Sequence, residues 1–282
     1  MRGASLEGRR WAVGPLARSE GERSARRARA LLAASVFAAA IGDFEHAEDF
    51  AIESLAIQHE LGETRNRPPL LTNLGIIAHL RGDFVAAERL YAESAREAHA
   101  TQNGFQRATA LMNLTELAMR DGDYARARKL NDEAMALFEE LDSDFGRAWS
   151  LLGRAFCLRG TGHEDEALAA ANRSLVLARG MTAASLLWPG AVLVAAVAAK
   201  RGEPEIALGV MTAADVLRRS TPEVVRGIES ELCLETTQEL RRTLGPARYD
   251  AASAEHTMSL EDATQHILDA AARLSGEQAS PR

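Results

Sequence analysis

The 282-residue chain carries 33 basic and 40 acidic side chains and is 46% hydrophobic but only 5% aromatic. That is enough chain and apolar material for one or two globular domains, and the composition excludes a disordered or fibrous protein. A formal net charge of −7 excludes a broad phosphate-binding face, because duplex affinity comes from clustered Lys and Arg releasing counterions. Direct nucleic-acid binding is therefore not expected.

The chain begins with residues 1–20, basic and rich in Gly, Arg and Ser. They lack the apolar run of a signal peptide and read as a disordered N-terminus. The first 30 residues hold eight Arg and three Glu, whereas the body is acidic. The only two cysteines, Cys157 and Cys233, make neither a disulfide framework nor a Cys-rich metal site, which fits a reducing cytoplasm.

From residue 21 to about 220 the sequence repeats with a period of forty. Gly42, Gly82, Gly122, Gly162 and Gly202 are followed by Asp43, Asp83, Asp123, His163 and Glu203, and five residues past each Gly stands Ala47, Ala87, Ala127, Ala167 or Ala207. Each unit reads as one helix ended by a left-handed Gly and a second, antiparallel helix opened by an N-cap residue. In the third unit, Tyr124, Ala127, Leu130, Ala134, Leu137, Phe138 and Leu141 make one apolar stripe at helical spacing. The recurring Ala marks where the paired helices approach most closely.

A second periodic set, Arg27, Arg67, Arg107 and Arg147, lies near the starts of the first helices, while Glu53, Glu93 and Glu133 lie on the second. Two readings stand: ion pairs between neighbouring units, or a row of anion contacts along one rim. Asp142-Ser143-Asp144 reads as a loop that caps the next helix. Thr182 to Ala199 is free of charge but contains Pro189 and Gly190 and much Ala, so it predicts a helix buried between neighbours, not a membrane span.

Beyond the repeats, Thr221-Pro222-Glu223 has the form of a helix start, and Ser259 with Asp262 has that of a capping box. Helices are predicted near 222–244, 246–255 and 260–273, forming a C-terminal cap over 221–274 that closes the array toward water. Residues 275–282 read as a frayed tail.

No phosphate-binding glycine loop, dinucleotide fingerprint, zinc-protease motif or nucleophile elbow occurs in the sequence. The seven histidines show no ligand spacing, so neither a metal nor a cofactor is expected. Glu116, His79 and Arg159 form the only nucleus for catalysis, and no reaction-type motif supports it.

The units resemble the tetratricopeptide repeat, whose pattern is present at Leu74-Gly75, Asp83-Phe84, Ala87 and Tyr91. Ser35, Thr115, Ala155 and Ala195 replace Gly75 elsewhere, and the unit is longer than the usual one. The length, together with a tail reading Leu244-Gly245, Tyr249 and Met258-Ser259-Leu260-Glu261-Asp262-Ala263, resembles the sensor regions of MalT-like and AfsR-like bacterial regulators. The resemblance implies an all-α, right-handed superhelix of about five helix pairs plus the helical cap, with a concave wall made by the first helices. Matching wall positions are Thr72, Asn73, Ile76 and His79, then Met112, Asn113, Glu116 and Met119, then Trp149, Leu152, Phe156 and Arg159. Asn73 and Asn113 share one repeat position. Their amides either contact an extended peptide or polyol or tie adjacent helices together. With 31 Arg against 2 Lys, the chain suits a GC-rich genome such as an actinobacterial one. The implied function is a non-enzymatic module binding a protein, a peptide or a small effector in a bacterial transcriptional regulatory system. The alternative is a scaffold for a partner protein with no small effector.

Overall fold

The structure, a computed structural model, describes residue 16 and residues 21–181, 183–220, 227–254 and 258–276. It is an all-α, tetratricopeptide-like repeat fold. Among the described residues there are helices and no strands: α1 (Ala25–Ala40), α2 (Phe44–Leu61), α3 (Arg67–Leu80), α4 (Phe84–Ala100), α5 (Gly104–Arg120), α6 (Tyr124–Glu140), α7 (Asp144–Gly160), α8 (Glu164–Gly180), α9 (Ala184–Lys200), α10 (Pro204–Ser220), α11 (Ile228–Leu244), α12 (Pro246–Ala254) and α13 (Leu260–Ser275). The five pairs α1/α2 to α9/α10 match the period of forty. Two compact units divide within α5: one takes in the chain through Leu117, and the other begins at Ala118.

Within each pair the turn is built in one way. Gly42, Gly82, Gly122, Gly162 and Gly202 all have φ between 76° and 83°. The next N–H donates to the carbonyl five residues back at 2.9–3.0 Å: Asp43 to Ala38, Asp83 to Ala78, Asp123 to Ala118, His163 to Leu158 and Glu203 to Ala198. This closes the first helix whatever residue follows the Gly. The expected acidic cap is real at Asp83 and Asp123, which accept from the Ala86 and Arg126 amides at 3.0 Å. It fails at Asp43, whose carboxylate faces His46 instead.

The connections between pairs use the same closure without always using glycine. Gly62, Gln102 and Asp142 have φ of 66°, 53° and 49°, and Glu63, Asn103 and Ser143 donate five residues back. Helices α4 to α10 are therefore each 17 residues long and start every twenty residues. Ser143 caps α7 by accepting from the Gly146 amide, as its loop predicts.

The seams between paired helices are tight. Ala47, Ala87, Ala127, Ala167 and Ala207 are all 0% exposed. Across the same seams Ser54 donates to the Ala28 carbonyl, Ser94 to that of Pro68 and Ser174 to that of Ala148, at 2.7–2.8 Å. This serine ladder also recurs at forty, with buried Ala134 and Ala214 in the other two repeats. In the first unit the Tyr91 ring fills the space over Gly75, where a Cβ would stand 2.5 Å from it. The α6 stripe ends earlier than predicted: Phe138 is buried, Leu141 is exposed, and Asn131 joins the buried face.

In the second unit the charge-free tract becomes α9, packed by α7, α8, α10, α11 and α13, so Val192, Leu193, Val194 and Ala195 have no exposure. Among the described residues no helix is long and apolar enough to cross a membrane. The C-terminal helices do two separate things, where a single cap over the end is expected from the sequence. Helix α11 stacks on α9, whereas α13 lies against the second helices α8 and α10. Gly209 admits His266 of α13, since a Cβ there would meet its ring at 2.7 Å. The Leu274 carbonyl accepts from Arg201 at 2.7 Å. Ser259 caps α13 as read, accepting from the Asp262 amide. The helix start at Thr221-Pro222-Glu223 lies outside the described residues. So do residues 1–20 except Leu16, which is buried and whose carbonyl accepts from Arg27.

Two substitutions test this construction by urea denaturation. Ala87→Leu overpacks a seam and lowers stability by about 1–3 kcal/mol. Gln102→Gly relieves a left-handed backbone at an exposed side chain and raises stability by about 1 kcal/mol. A midpoint that rises on Ala87→Leu or falls on Gln102→Gly contradicts the assignment.

Candidate functional site

The wall implied by the resemblance is built by the first helices, and the two units present it differently. In the first unit Thr72, Asn73, Met112 and Asn113 are buried, while Ile76, His79 and Glu116 are half-buried. A first helix packs on its own partner and on the adjoining pair, which leaves only a narrow strip open.

The hydroxyl of Thr72 points into the seam, 2.8 Å from Ser94 Oγ. Since Ser94 donates to Pro68, Thr72 is the donor in that pair. Asn73 Nδ2 donates to Ser35 Oγ, and Ser35 donates to the Ala47 carbonyl at 2.5 Å. This relay joins α3 to α1 and α2. Asn113 Nδ2 donates to the Thr109 carbonyl of its own helix at 2.9 Å. Both amide nitrogens are thus used internally, one between helices and one within a helix. Each amide keeps a second N–H and its oxygen, so any part these side chains play in binding draws on one donor and one acceptor.

Two wall residues do come together. His79 Nε2 lies 3.7 Å from Glu116 Oε1, and the imidazole meets the Phe84 ring edge-on at 5.5 Å between centroids. Beneath them the Tyr91 hydroxyl is buried without a hydrogen-bond partner. Burial pushes its phenol well above the ordinary value, and the Glu116 carboxylate adds to the shift. On the same helix as His79, Ile76 is half-buried at the repeat position that Val36, 50% exposed, holds one repeat earlier.

In the second unit Met119, Leu152 and Phe156 are core residues, 6% exposed or less. Trp149 and Arg159 remain half-buried. Trp149 packs against Phe138 and Phe145, with centroids 6.4 and 6.2 Å away. The wall positions Met112, Met119 and Phe156 are thus interior packing.

The arginine ladder is not one uniform network: Arg27 and Arg67 pair within their own helix pairs, Arg147 pairs at the start of its own helix, and Arg107 reaches back to the preceding pair. Arg27 binds Glu53 at 2.6 Å, Arg67 binds Glu97 through two nitrogens at 2.9 and 3.0 Å, and Arg147 binds Asp142 and Asp144. Arg107 lies 3.0 Å from His99 Nδ1. The guanidiniums of Arg27, Arg67 and Arg147 are already engaged by carboxylates, so a row of anion contacts is not what they form. Among the described residues no group of three His, Cys, Asp or Glu is arranged to hold a metal ion.

Comparisons with known proteins agree with this architecture. The tetratricopeptide-repeat family model matches residues 106–179, from α5 to the end of α8. Among solved structures the chain is similar to the crystal structure of BtubC (BKLC) from P. vanneervenii. The TM-score is 0.59 at 16% identity, covering 79% of this chain and 92% of that one. At this identity the likeness is one of fold. No curated protein sequence matches the chain.

The Asn73 relay gives a direct check by thermal or urea unfolding. Asn73→Ala, which strands Ser35 and unties α3 from α1, costs about 1–2 kcal/mol. Asn113→Ala, which removes a bond within one helix, costs about 0.5 kcal/mol. Equal losses contradict the assignment of Asn73 as an inter-helix tie.

Proposed function

We propose that the chain is a non-enzymatic protein-binding module whose first-helix wall receives an extended segment of a partner protein. Tetratricopeptide repeats characteristically serve protein–protein interaction. The observation that carries this reading is on the first helices of the first unit, where Val36 and Ile76, at one repeat position, keep apolar surface open and His79 pairs with Glu116. Apolar surface gives affinity and the adjoining imidazole and carboxylate give hydrogen-bonding direction, which is what a peptide side chain and backbone need from a binding surface. Asn73 and Asn113 add carbonyl oxygens that accept from peptide N–H groups, and Trp149 and Arg159 are the corresponding open positions on the second unit.

The module works in the cytoplasm as part of a bacterial transcriptional regulatory system, and a small effector on the same wall is the finer form of this reading. The tail around Leu244-Gly245 and Met258–Ala263, the arginine-rich composition and the acidic body support that context, with a protein rather than a nucleic acid as partner.

The test uses a peptide selected against the whole chain from a random library, with affinity measured by calorimetry. Ile76→Asp and Glu116→Gln each weaken binding about tenfold without lowering the melting temperature to match. Arg173→Ala, exposed on the second helix α8, leaves it unchanged. Normal binding by both wall variants with loss in the Arg173 variant overturns the proposal.

A further inference from the structure

One place in the second unit departs from the repeat in a way that packing alone does not require. At the position held by Ala34, Leu74, Leu114 and Val194 in the other four repeats, the fourth repeat carries Arg154. Three of those residues are buried and Leu74 half-buried, whereas Arg154 is exposed. On the facing helix α6, Arg128 stands where two repeats have Glu48 and Glu88 and two have Leu168 and Leu208. Replacing an interior aliphatic residue by a guanidinium forfeits apolar contact with the preceding second helix.

What results is a cleft of about 510 Å³ between α6, α7 and the start of α8, within the size range of small-molecule sites. Leu158, the Cys157 thiol and Tyr124 give it an apolar floor. The Tyr124 ring lies over Gly160, where a Cβ would stand 2.2 Å from it. Four charged side chains line the cleft: Arg128, Arg154, Asp132 and Glu166. None of the four has a hydrogen bond or ion pair to a described residue. Several other guanidiniums of the same unit do find carboxylates: Arg147 with Asp144, Arg201 with Asp165, Arg218 and Arg219 with Asp215, Arg241 with Asp250.

The charges of α6 lie near the floor. Burial pushes the Cys157 thiol up to about 11, with Asp132 raising it further and Arg128 lowering it. Opposite charges that share one cleft, yet do not bond each other, leave both signs available to a ligand. Arginine forks match carboxylates, and carboxylates accept from ammonium groups. A ligand bearing only one charge leaves the other sign in the cleft without a partner.

We propose that this cleft binds a small zwitterion of the free amino acid or dipeptide class, its carboxylate on Arg128 and Arg154, its ammonium on Asp132 and Glu166, and its side chain over Tyr124 and Leu158. The site is separate from the first-helix wall and does not depend on that wall binding a peptide.

The experiment is calorimetric titration of the whole chain with each free L-amino acid and a set of dipeptides, followed by two half-charged analogues of the best ligand: the amine without its carboxylate and the acid without its ammonium group. The zwitterion binds, and each analogue binds about tenfold more weakly or worse. Arg154→Leu restores the residue type of the other repeats, so the fold is kept, and it weakens binding about tenfold or more. Arg128→Gln weakens it as well, and Arg173→Ala does not. The proposal is overturned if no amino acid or dipeptide binds, if the Arg154→Leu chain binds as tightly as the natural one, or if either half-charged analogue matches the zwitterion.

Discussion

Where the paired helices meet, the side chain at the contact is a single methyl group, fully removed from solvent at Ala47, Ala87, Ala167 and Ala207. That separation lets a hydroxyl on the second helix reach a carbonyl on the first, which Ser54, Ser94 and Ser174 do at 2.7–2.8 Å. A carbonyl in the first turn of a helix already accepts within that helix, and the serine uses its second lone pair. The hydroxyl's own cost of burial is thereby met without disturbing the backbone. A larger residue at the alanine would separate these groups together with the apolar contacts around them.

The same closeness decides what the wall can offer. A first helix that packs tightly on its partner and on the neighbouring pair keeps only a strip for solvent. Polar residues just off that strip are drawn into structural bonds. Thr72 turns to Ser94, and Asn73 turns to Ser35, a residue at the position where the next repeat has Gly75 beneath Tyr91. The small residues of that position are thus not equivalent: in one repeat the space admits an aromatic ring, and in another a hydroxyl passes a hydrogen bond between three helices.

Charge follows a related logic. Helix α9 has an uncharged face in every direction because neighbours surround it, and its first charges, Lys200 and Arg201, come at its C-terminal end, where they pair with Glu164 and Asp165 of α8. Cations there also oppose the negative end of the helix dipole. Arg154 breaks this economy. It puts a charge at a position that three other repeats bury and leaves that charge with no described partner, unlike the structural ion pairs at the end of α9.

Period, helix pairing, the glycine closures, the buried alanines and the burial of the uncharged tract were all legible in the sequence, because each depends on residues a few positions apart on one helix or on strict recurrence. The left-handed Gln102 and Asp142 were not legible, since nothing in a polar loop residue announces a positive φ, which here is imposed by helices fixed on both sides. Nor was the partner of each arginine: Arg67 finds Glu97 rather than Glu93 because the crossing of α3 and α4, not spacing along the chain, sets which carboxylate is within reach. The wall residues show the division most clearly. Sequence alone placed Asn73, Met112, Phe156, Ile76 and Glu116 on the first helices, but which of them stay open was decided by the packing of the adjoining pairs, because exposure is a property of the neighbours and not of the residue itself.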